Sequence, residues 1–301
     1  MKDSYLRGIP WQRFKEFISP DADRFELLKK IIEEAALDYT VIELAGNRHF
    51  VVSPAQTEKP PKGSRPILVA HYDRSTGSPG ANDNSAGVFL LLETAIKLKK
   101  RAAKNWLMIF TDKEELQCGQ SIMAQGAYTL ALGLKKSKMK GARVFCFDAC
   151  GTGDTLVIST TADYLLKKDG NGEKLQRAVM ELQKLALDTA RGLRMAKVLL
   201  APTPFSDDAG FLRAGLAAQT ITMLPSAECV RLVSELRKSP DLAGALINAG
   251  LRQNCQAKSI PETWRSLNGP SDSHLRLTPQ YFRAVTRFAE ALCRSHEVYT
   301  K

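Results

Sequence analysis

Apolar residues along the chain follow two patterns, short continuous runs and stripes at helical spacing. The runs include PILVA, WLMIF, VFCF and TLVI, which are typical of strands buried on both faces. The stripes predict amphipathic helices over residues 19–36, 85–100, 173–193 and 279–299. YTVIEL and RHFVVS flank a short turn and predict a β-hairpin. Because strands and helices alternate after this hairpin, the pattern predicts an α/β fold with a mainly parallel sheet.

Polar side chains follow three of the predicted strands at the point where each strand ends. His71 and Asp73 follow PILVA. Glu114 and Glu115 follow WLMIF, and Asp148 follows VFCF. In open parallel sheets, binding sites form outside the carboxyl ends of the strands. We therefore expect these side chains to meet at one edge of the sheet.

The chemistry of this group indicates a metal site. Taken alone, His71 has an ordinary interpretation as a buried core histidine, and Asp83 as the N-cap of the helix that follows it. The coincidence at successive strand ends favours a common function instead. Several carboxylates that converge on one point repel each other unless a cation lies between them. Carboxylates combined with a histidine favour zinc, manganese or cobalt over calcium.

Composition and charge exclude several other classes of protein. The 301 residues are 44% hydrophobic and 25% charged, which is typical of a globular protein with a sizeable core. The net charge is +11, but the basic residues cluster in 97–104 and 135–140 without interleaved aromatic residues, so no nucleic-acid partner is predicted. The sequence has no secretory signal and no apolar run long enough to span a membrane, so we expect a cytoplasmic location without membrane contact.

The motifs HYDR, GANDNSAG, DKEEL, FDACGTGD and SDDAGFLRAGLAA occur in this order between Pro66 and Pro279. In this combination the chain resembles the co-catalytic zinc aminopeptidases of metallopeptidase family twenty-eight, whose relatives include glutaminyl cyclases. The resemblance implies a three-layer α/β/α sandwich with a mixed, mainly parallel central sheet of the zinc exopeptidase type. It also implies that residues 1–301 form a single catalytic domain.

The resemblance assigns the metal ligands by position. His71 and Asp148 would bind a first zinc ion, Asp83 would bridge two zinc ions, and Glu115 would bind the second. The peptide bond between Asp83 and Asn84 lies where the family often has a cis bond.

The same resemblance assigns the two remaining roles. Asp73 would hydrogen-bond to the ring of His71 and fix its orientation. Glu114 would act as the general base that takes a proton from the water activated by zinc and passes it to the leaving amine. The second zinc ion would hold the free amino group of a peptide substrate.

The chain departs from the family pattern at the last ligand, which is a histidine in the family. The segment here reads NGPSDSHLRLTP and aligns without a gap when Asn268 takes the place of that histidine. Two alternatives follow. Asn268 binds the metal through its amide oxygen, or the loop shifts so that His274 reaches the metal. Two zinc ions are expected from the family, and one is the alternative here. His49 and His296 are interpreted as surface residues without partners.

Three functions are consistent with these residues. The first is a metal-dependent aminopeptidase that hydrolyses the N-terminal peptide bond of a peptide substrate. The second is an acyltransferase of the glutaminyl cyclase type, which needs one metal ion. The third is a catalytically weak or inactive relative that acts as a binding module, because the last histidine ligand is replaced. The retained Glu114 favours an enzyme.

Overall fold

The computed structural model describes residues 6–54, 65–117, 119–137, 139, 141–169, 172–239, 241–247 and 259–294. These residues form an eight-stranded mixed sheet with helices on both faces, which confirms the predicted three-layer α/β/α architecture. Among the described residues, none of the helices combines the length and the apolar character needed to cross a bilayer.

The sheet has the strand order β1-β2-β4-β3-β5-β8-β6-β7. Its strands are β1 (Tyr39–Leu44), β2 (Asn47–Val52), β3 (Pro66–His71), β4 (Leu107–Thr111), β5 (Arg143–Phe147), β6 (Thr155–Ser159), β7 (Val198–Ala201) and β8 (Ala218–Leu224). The four central strands β4, β3, β5 and β8 run parallel to each other. The antiparallel neighbours are β1 with β2, β2 with β4 and β6 with β8. The centre of the sheet therefore presents four carboxyl ends at one edge.

The helices are α1 (Trp11–Phe17), α2 (Arg24–Glu34), α3 (Gly87–Lys100), α4 (Gly126–Lys136), α5 (Thr161–Asp169), α6 (Glu173–Gly192), α7 (Asp207–Arg213), α8 (Ser226–Lys238), α9 (Asp241–Ile247), α10 (Glu262–Arg265) and α11 (Phe282–Arg294). A turn over Ala81–Ala86, in which Asp83 and Asn84 have non-helical backbone angles, leads into α3. Helices α3, α6 and α11 pack on one face of the sheet, and α4 and α7 pack on the other.

Alternate residues of the central strands supply the two hydrophobic layers. In β3, Leu68 and Ala70 belong to the layer under α3 and α11, whereas Ile67 and Val69 belong to the layer under α4 and α7. Because successive side chains of a strand point to opposite faces, a strand covered on both sides must be apolar at every position. This requirement explains why PILVA is a continuous apolar run.

The predicted elements agree well with the structure in the centre of the fold. The hairpin, the central strands and the helices α3 and α6 lie where the sequence predicts them. The predicted helix over 19–36 begins later, at Arg24, because the carboxylate of Asp23 caps it by accepting from the backbone N–H of Glu26. The last predicted helix lies at Phe282–Arg294, and residues 295–299 of that prediction lie outside the described residues. Strand β7 and the helices α1, α4, α5, α7, α8, α9 and α10 were not predicted.

Candidate metal centre

Three adjacent strands deliver the predicted site residues to one edge of the sheet. Strand β3 lies between β4 and β5 and ends at His71. The loop after β4 carries Glu114 and Glu115, and Asp148 directly follows β5. The expectation that these side chains meet is therefore confirmed, and the parallel arrangement of β4, β3 and β5 is the physical reason.

His71, Asp83 and Asp148 form one group with the spacing of metal ligands. The His71 Nε2 atom lies 3.1 Å from an oxygen of Asp83 and 3.8 Å from an oxygen of Asp148. Two ligand atoms of a tetrahedral zinc ion, with bonds of 2.0–2.2 Å, lie roughly 3.3–3.6 Å apart. The two measured separations bracket this range. The geometry thus fits three protein ligands around one divalent ion.

Unpartnered buried atoms in the same place support this fit. Among the described residues, neither His71 Nε2 nor Asp148 Oδ1 has a hydrogen-bond partner, although both atoms are buried. Buried polar atoms are nearly always paired, because an unpaired one costs about 1–3 kcal/mol. Since both atoms are good zinc ligands and face each other, a bound cation accounts for their lack of hydrogen bonds.

Asp73 connects the histidine with the loop that carries the two glutamates. One of its carboxylate oxygens lies 3.4 Å from His71 Nδ1. The same carboxylate accepts from the backbone N–H of Glu114 at 3.1 Å and from that of Glu115 at 3.0 Å. Asp73 therefore holds the backbone of both glutamates beside the ring of His71. The amide of Gln125 adds a second support, because it donates to the Glu114 carboxylate at 3.0 Å.

The pKa values in the centre reflect crowded negative charge. Burial lowers the pKa of His71, but the carboxylates of Asp148, Asp73 and Asp83 outweigh this effect and hold it well above its ordinary value. Burial, together with the negative charge of Glu115, raises the pKa of Glu114 well above its ordinary value against the opposing effect of His71. Burial and the charge of Asp83 raise the pKa of Glu115 to about 8. A cation between these groups would relieve the repulsion.

Two further residues that the sequence analysis did not single out hold the loop between β3 and α3. The buried guanidinium of Arg24 donates to the backbone oxygens of Tyr72 at 3.0 Å and of Asp73 at 3.1 Å. The carboxylate of Asp272 accepts from the backbone N–H groups of Asn82 at 2.8 Å and of Asp83 at 3.0 Å. The Asp83–Asn84 peptide bond is cis, as the resemblance implies.

A signal for Arg24 is visible in the sequence. Arg24, Leu28 and Ile31 are all buried and lie on one face of α2. A charged residue on the apolar stripe of a helix must find buried acceptors, which is the role that Arg24 has. Gln125 gave no such signal, since its contact with Glu114 depends on how the loop after β4 folds back.

Asn268 reaches the centre, whereas His274 does not join it. The amide of Asn268 lies 2.9 Å from the hydroxyl of Ser75, which in turn donates to Glu115 at 2.8 Å. His274 begins a short 3₁₀ turn, His274–Arg276. It belongs to neither of the two groups of candidate metal ligands found among the described residues, which are His71 with Asp83 and Asp148, and His71 with Glu114 and Glu115. The gap-free alignment that places Asn268 beside Glu115 therefore agrees with the geometry.

The interpretation of His49 as a surface residue is wrong. Its side chain is fully buried in β2, and its Nδ1 atom accepts from the backbone N–H of Asp112 at 3.2 Å. Burial lowers the pKa of His49 to about 4. The strand pattern misled the prediction because β2 is covered on both faces. His296 lies outside the described residues.

A cavity of about 480 Å³ opens onto the centre. Asp83, Glu114, Asp148 and Asn268 line its polar end. Apolar side chains line much of the rest of the cavity wall: Pro204, Phe205, Ile260, Trp264 and Leu267. A cavity with apolar side chains on part of its wall and convergent polar groups at one end is typical of a binding site for a small ligand or for one residue of a peptide.

Comparisons with known proteins agree with this geometry. The model of the family described as Peptidase family M28 matches residues 53–272. No curated protein sequence matches the chain. The structure resembles LapA aminopeptidase from Legionella pneumophila, with a TM-score of 0.62, 14% identity and coverage of 98% of this chain and 74% of that one.

Two further solved structures share the fold. A glutaminyl cyclase from Porphyromonas gingivalis has a TM-score of 0.60 and 14% identity, and the match covers 98% of each chain. BSAP, a zinc aminopeptidase from Bacillus subtilis, has a TM-score of 0.55 and 18% identity. That match covers 83% of this chain but 50% of BSAP, so this chain spans about half the length of that relative.

Proposed function

Because the chain belongs to peptidase family M28, we propose that it is a metal-dependent aminopeptidase that hydrolyses the N-terminal bond of peptides. The observation that carries the proposal is the group of His71, Asp83 and Asp148, which has ligand spacing, unpartnered buried atoms and an adjacent Glu114. The peptide substrate is part of this proposal, and the cytoplasmic location stays a prediction from the sequence.

His71, Asp83 and Asp148 would hold the ion, and zinc fits this set of one imidazole and two carboxylates. When bound, zinc supplies Lewis acidity that polarises a peptide carbonyl and lowers the pKa of water. Asp73 keeps the ring of His71 oriented with Nε2 toward the two aspartates.

Glu114 is the proposed general base. It lines the cavity, so its carboxylate can take a proton from the attacking water and pass it to the leaving amine. Gln125 and the backbone contacts to Asp73 hold Glu114 in one orientation, which is what proton transfer requires.

The cavity supports a preference for apolar N-terminal residues. Phe205, Ile260, Trp264 and Leu267 present apolar surface beside the metal ligands. Burial of an apolar side chain contributes about 25 cal/mol per Å². A leucine or phenylalanine in this cavity would therefore bind more tightly than a charged residue.

The decisive experiment compares wild type with Glu114→Gln. We expect the wild type to hydrolyse leucine arylamides with zinc, manganese or cobalt. Glu114→Gln should keep the wild-type zinc content and lose activity by about 100-fold or more, which is the usual contribution of a general base. Glu34→Gln is the matched control, because Glu34 is an exposed glutamate that contacts Arg13. Full activity in Glu114→Gln, or a folded, zinc-loaded wild type without turnover, would contradict the proposal.

A second candidate function is glutaminyl cyclisation. The match to the P. gingivalis glutaminyl cyclase covers almost the whole of both chains, unlike the match to BSAP. Pyroglutamate formation from a peptide that begins with glutamine, without hydrolysis of arylamides, would favour this function over the aminopeptidase.

A further inference from the structure

The environment of Asn268 raises the question of what lies between Glu115 and Asp83. The amide of Asn268 is close to both carboxylates and to Ser75. If Asn268 binds a second metal ion, its oxygen must face this group. If it forms hydrogen bonds there instead, its nitrogen must face the group.

Ser75 decides between the two amide orientations. Its hydroxyl donates its single proton to Glu115 at 2.8 Å. With that proton on Glu115, Ser75 accepts from the Asn268 atom 2.9 Å away when that atom is the amide nitrogen. We therefore assign the nitrogen of Asn268 to the side that faces Ser75, Glu115 and Asp83.

In this orientation the two N–H protons of the amide face several acceptors and are shared among them. It lies 2.6 Å and 3.0 Å from the two oxygens of Glu115 and 3.2 Å from an oxygen of Asp83. These are hydrogen-bond lengths. The shortest of them is well below the roughly 3.3–3.6 Å that separates two ligand atoms of a tetrahedral zinc ion. An amide nitrogen that carries its protons also has no lone pair to offer a metal.

We propose that the Asn268 amide replaces the second ion by donating hydrogen bonds to Glu115 and Asp83, so that the centre takes one divalent ion, at His71, Asp83 and Asp148. This inference rests on the proposed metallopeptidase function, since it concerns the same site. The amide nitrogen supplies partial positive charge where a second cation would otherwise offset the two carboxylates. Glu115 thus acts as a hydrogen-bond acceptor.

The two halves of the centre differ in the way that the proposal requires. His71 Nε2 and Asp148 Oδ1 have no hydrogen-bond partner among the described residues. The oxygens of Glu115, by contrast, are engaged by Ser75 and by the Asn268 amide. The group of His71 and Asp148 therefore needs an ion, and the place beside Glu115 and Asn268 does not.

The backbone at position 268 allows a direct test. Asn268 has a φ of 63°, in the left-handed region where asparagine, aspartate and histidine are the best-tolerated residues with a side chain. The residue is also largely exposed, so substitutions there should not unfold the protein. Asn268→His supplies an imidazole ligand, and Asn268→Asp keeps the shape while it removes the donor. Asn268→Ala removes the donor without adding a ligand.

The experiment measures zinc per chain after equilibrium dialysis, together with zinc titration calorimetry. We expect one equivalent for the wild type and for Asn268→Ala. Asn268→His and Asn268→Asp should bind a second equivalent, seen as a second phase with an affinity at least about tenfold above any second phase of the wild type. Circular dichroism checks that each variant is folded.

The outcomes separate this inference from the proposed function. Two equivalents in the wild type, or one equivalent in both Asn268→His and Asn268→Asp, would overturn the inference and leave the metallopeptidase proposal intact. No zinc in a folded wild type would remove the basis of both. In that case, Asp148→Asn would leave the calorimetric trace unchanged. If His71, Asp83 and Asp148 bind the ion, Asp148→Asn should instead abolish the single binding phase.

Discussion

Replacement of Arg24 by methionine tests whether the metal centre depends on a cation outside it. Arg24 is buried, with 6% of the residue exposed, and its guanidinium lies over Phe17, 4.7 Å from the ring centroid. It donates to Tyr72, Asp73, Pro79 and Gly80 backbone oxygens and to the Ser85 hydroxyl. Methionine keeps much of the apolar stem and removes all five hydrogen bonds.

The loss of stability in Arg24→Met depends on which hydrogen-bond acceptors lose their only partner. The Gly80 oxygen keeps the N–H of Ser85, and the Pro79 oxygen keeps Arg74. The backbone oxygens of Tyr72 and Asp73 keep no other hydrogen bond that the described residues provide. Two orphaned carbonyls cost about 2–6 kcal/mol in total, and removal of a buried charge offsets part of this. We expect the free energy of unfolding to fall by about 2–4 kcal/mol.

The effect should extend to the metal, because the two orphaned carbonyls lie beside His71 and Asp73. We expect zinc affinity to fall at least about tenfold, which corresponds to 1.4 kcal/mol. Urea denaturation of the metal-free protein measures the first quantity, and calorimetric zinc titration measures the second. Arg13→Met is the control, because Arg13 contacts Glu16 and Glu34 at the surface, and it should keep the wild-type zinc affinity.

Two results would refute this reasoning. An unfolding free energy within about 0.5 kcal/mol of wild type would mean that the carbonyls find other partners. A clear loss of stability with unchanged zinc affinity would mean that Arg24 supports the fold without holding the metal-binding loop.

Two other predictions follow from buried groups. Burial lowers the pKa of His49 to about 4. Between pH 6.5 and 4 the unfolded chain therefore binds a proton that the folded chain does not. As the pH drops through this range, the free energy of unfolding falls by up to about 3 kcal/mol. His49→Asn, whose oxygen can still accept from Asp112, should lose this part of the acid dependence in denaturation curves at several pH values, and an unchanged pH dependence would contradict the assignment. Asp272→Asn places an amide N–H against one of the backbone N–H groups of Asn82 and Asp83. We expect this variant to lower the free energy of unfolding by about 1–3 kcal/mol, measured by thermal unfolding, and to weaken zinc binding, measured by titration. Wild-type zinc affinity in Asp272→Asn would show that these contacts do not position Asp83.

The strand ends and the polar residues that follow them were predictable because parallel strands impose strong local patterns, whereas the family was recognised from its motifs. A strand covered on both faces must be apolar along its whole length, so the polar residues that end it are conspicuous. His71 and Asp148 stood out for this reason, and the structure brings them together. Glu114 and Glu115 stood out in the same way after β4.

The supporting residues were less predictable because their roles depend on distant partners. Arg24 is separated by 48 residues from Tyr72, and Ser75 by 193 residues from Asn268. His49 was misread because nothing local to β2 reveals that its face is covered. Contacts of this kind are set by how the layers pack.

The sequence by itself therefore determined the alternation of strands and helices, the edge of the sheet where the candidate metal ligands meet, and the identity of the groups delivered there. These follow from short-range rules, since apolar periodicity and strand ends are read within a few residues. Only the tertiary structure decided which carboxylate faces which nitrogen. It brought the Asn268 amide to within hydrogen-bond distance of Glu115, and the acceptors around it are the ground for assigning the nitrogen to that side. Distances of tenths of an ångström separate a metal ligand from a hydrogen-bond donor, and such distances arise only when the whole fold is packed.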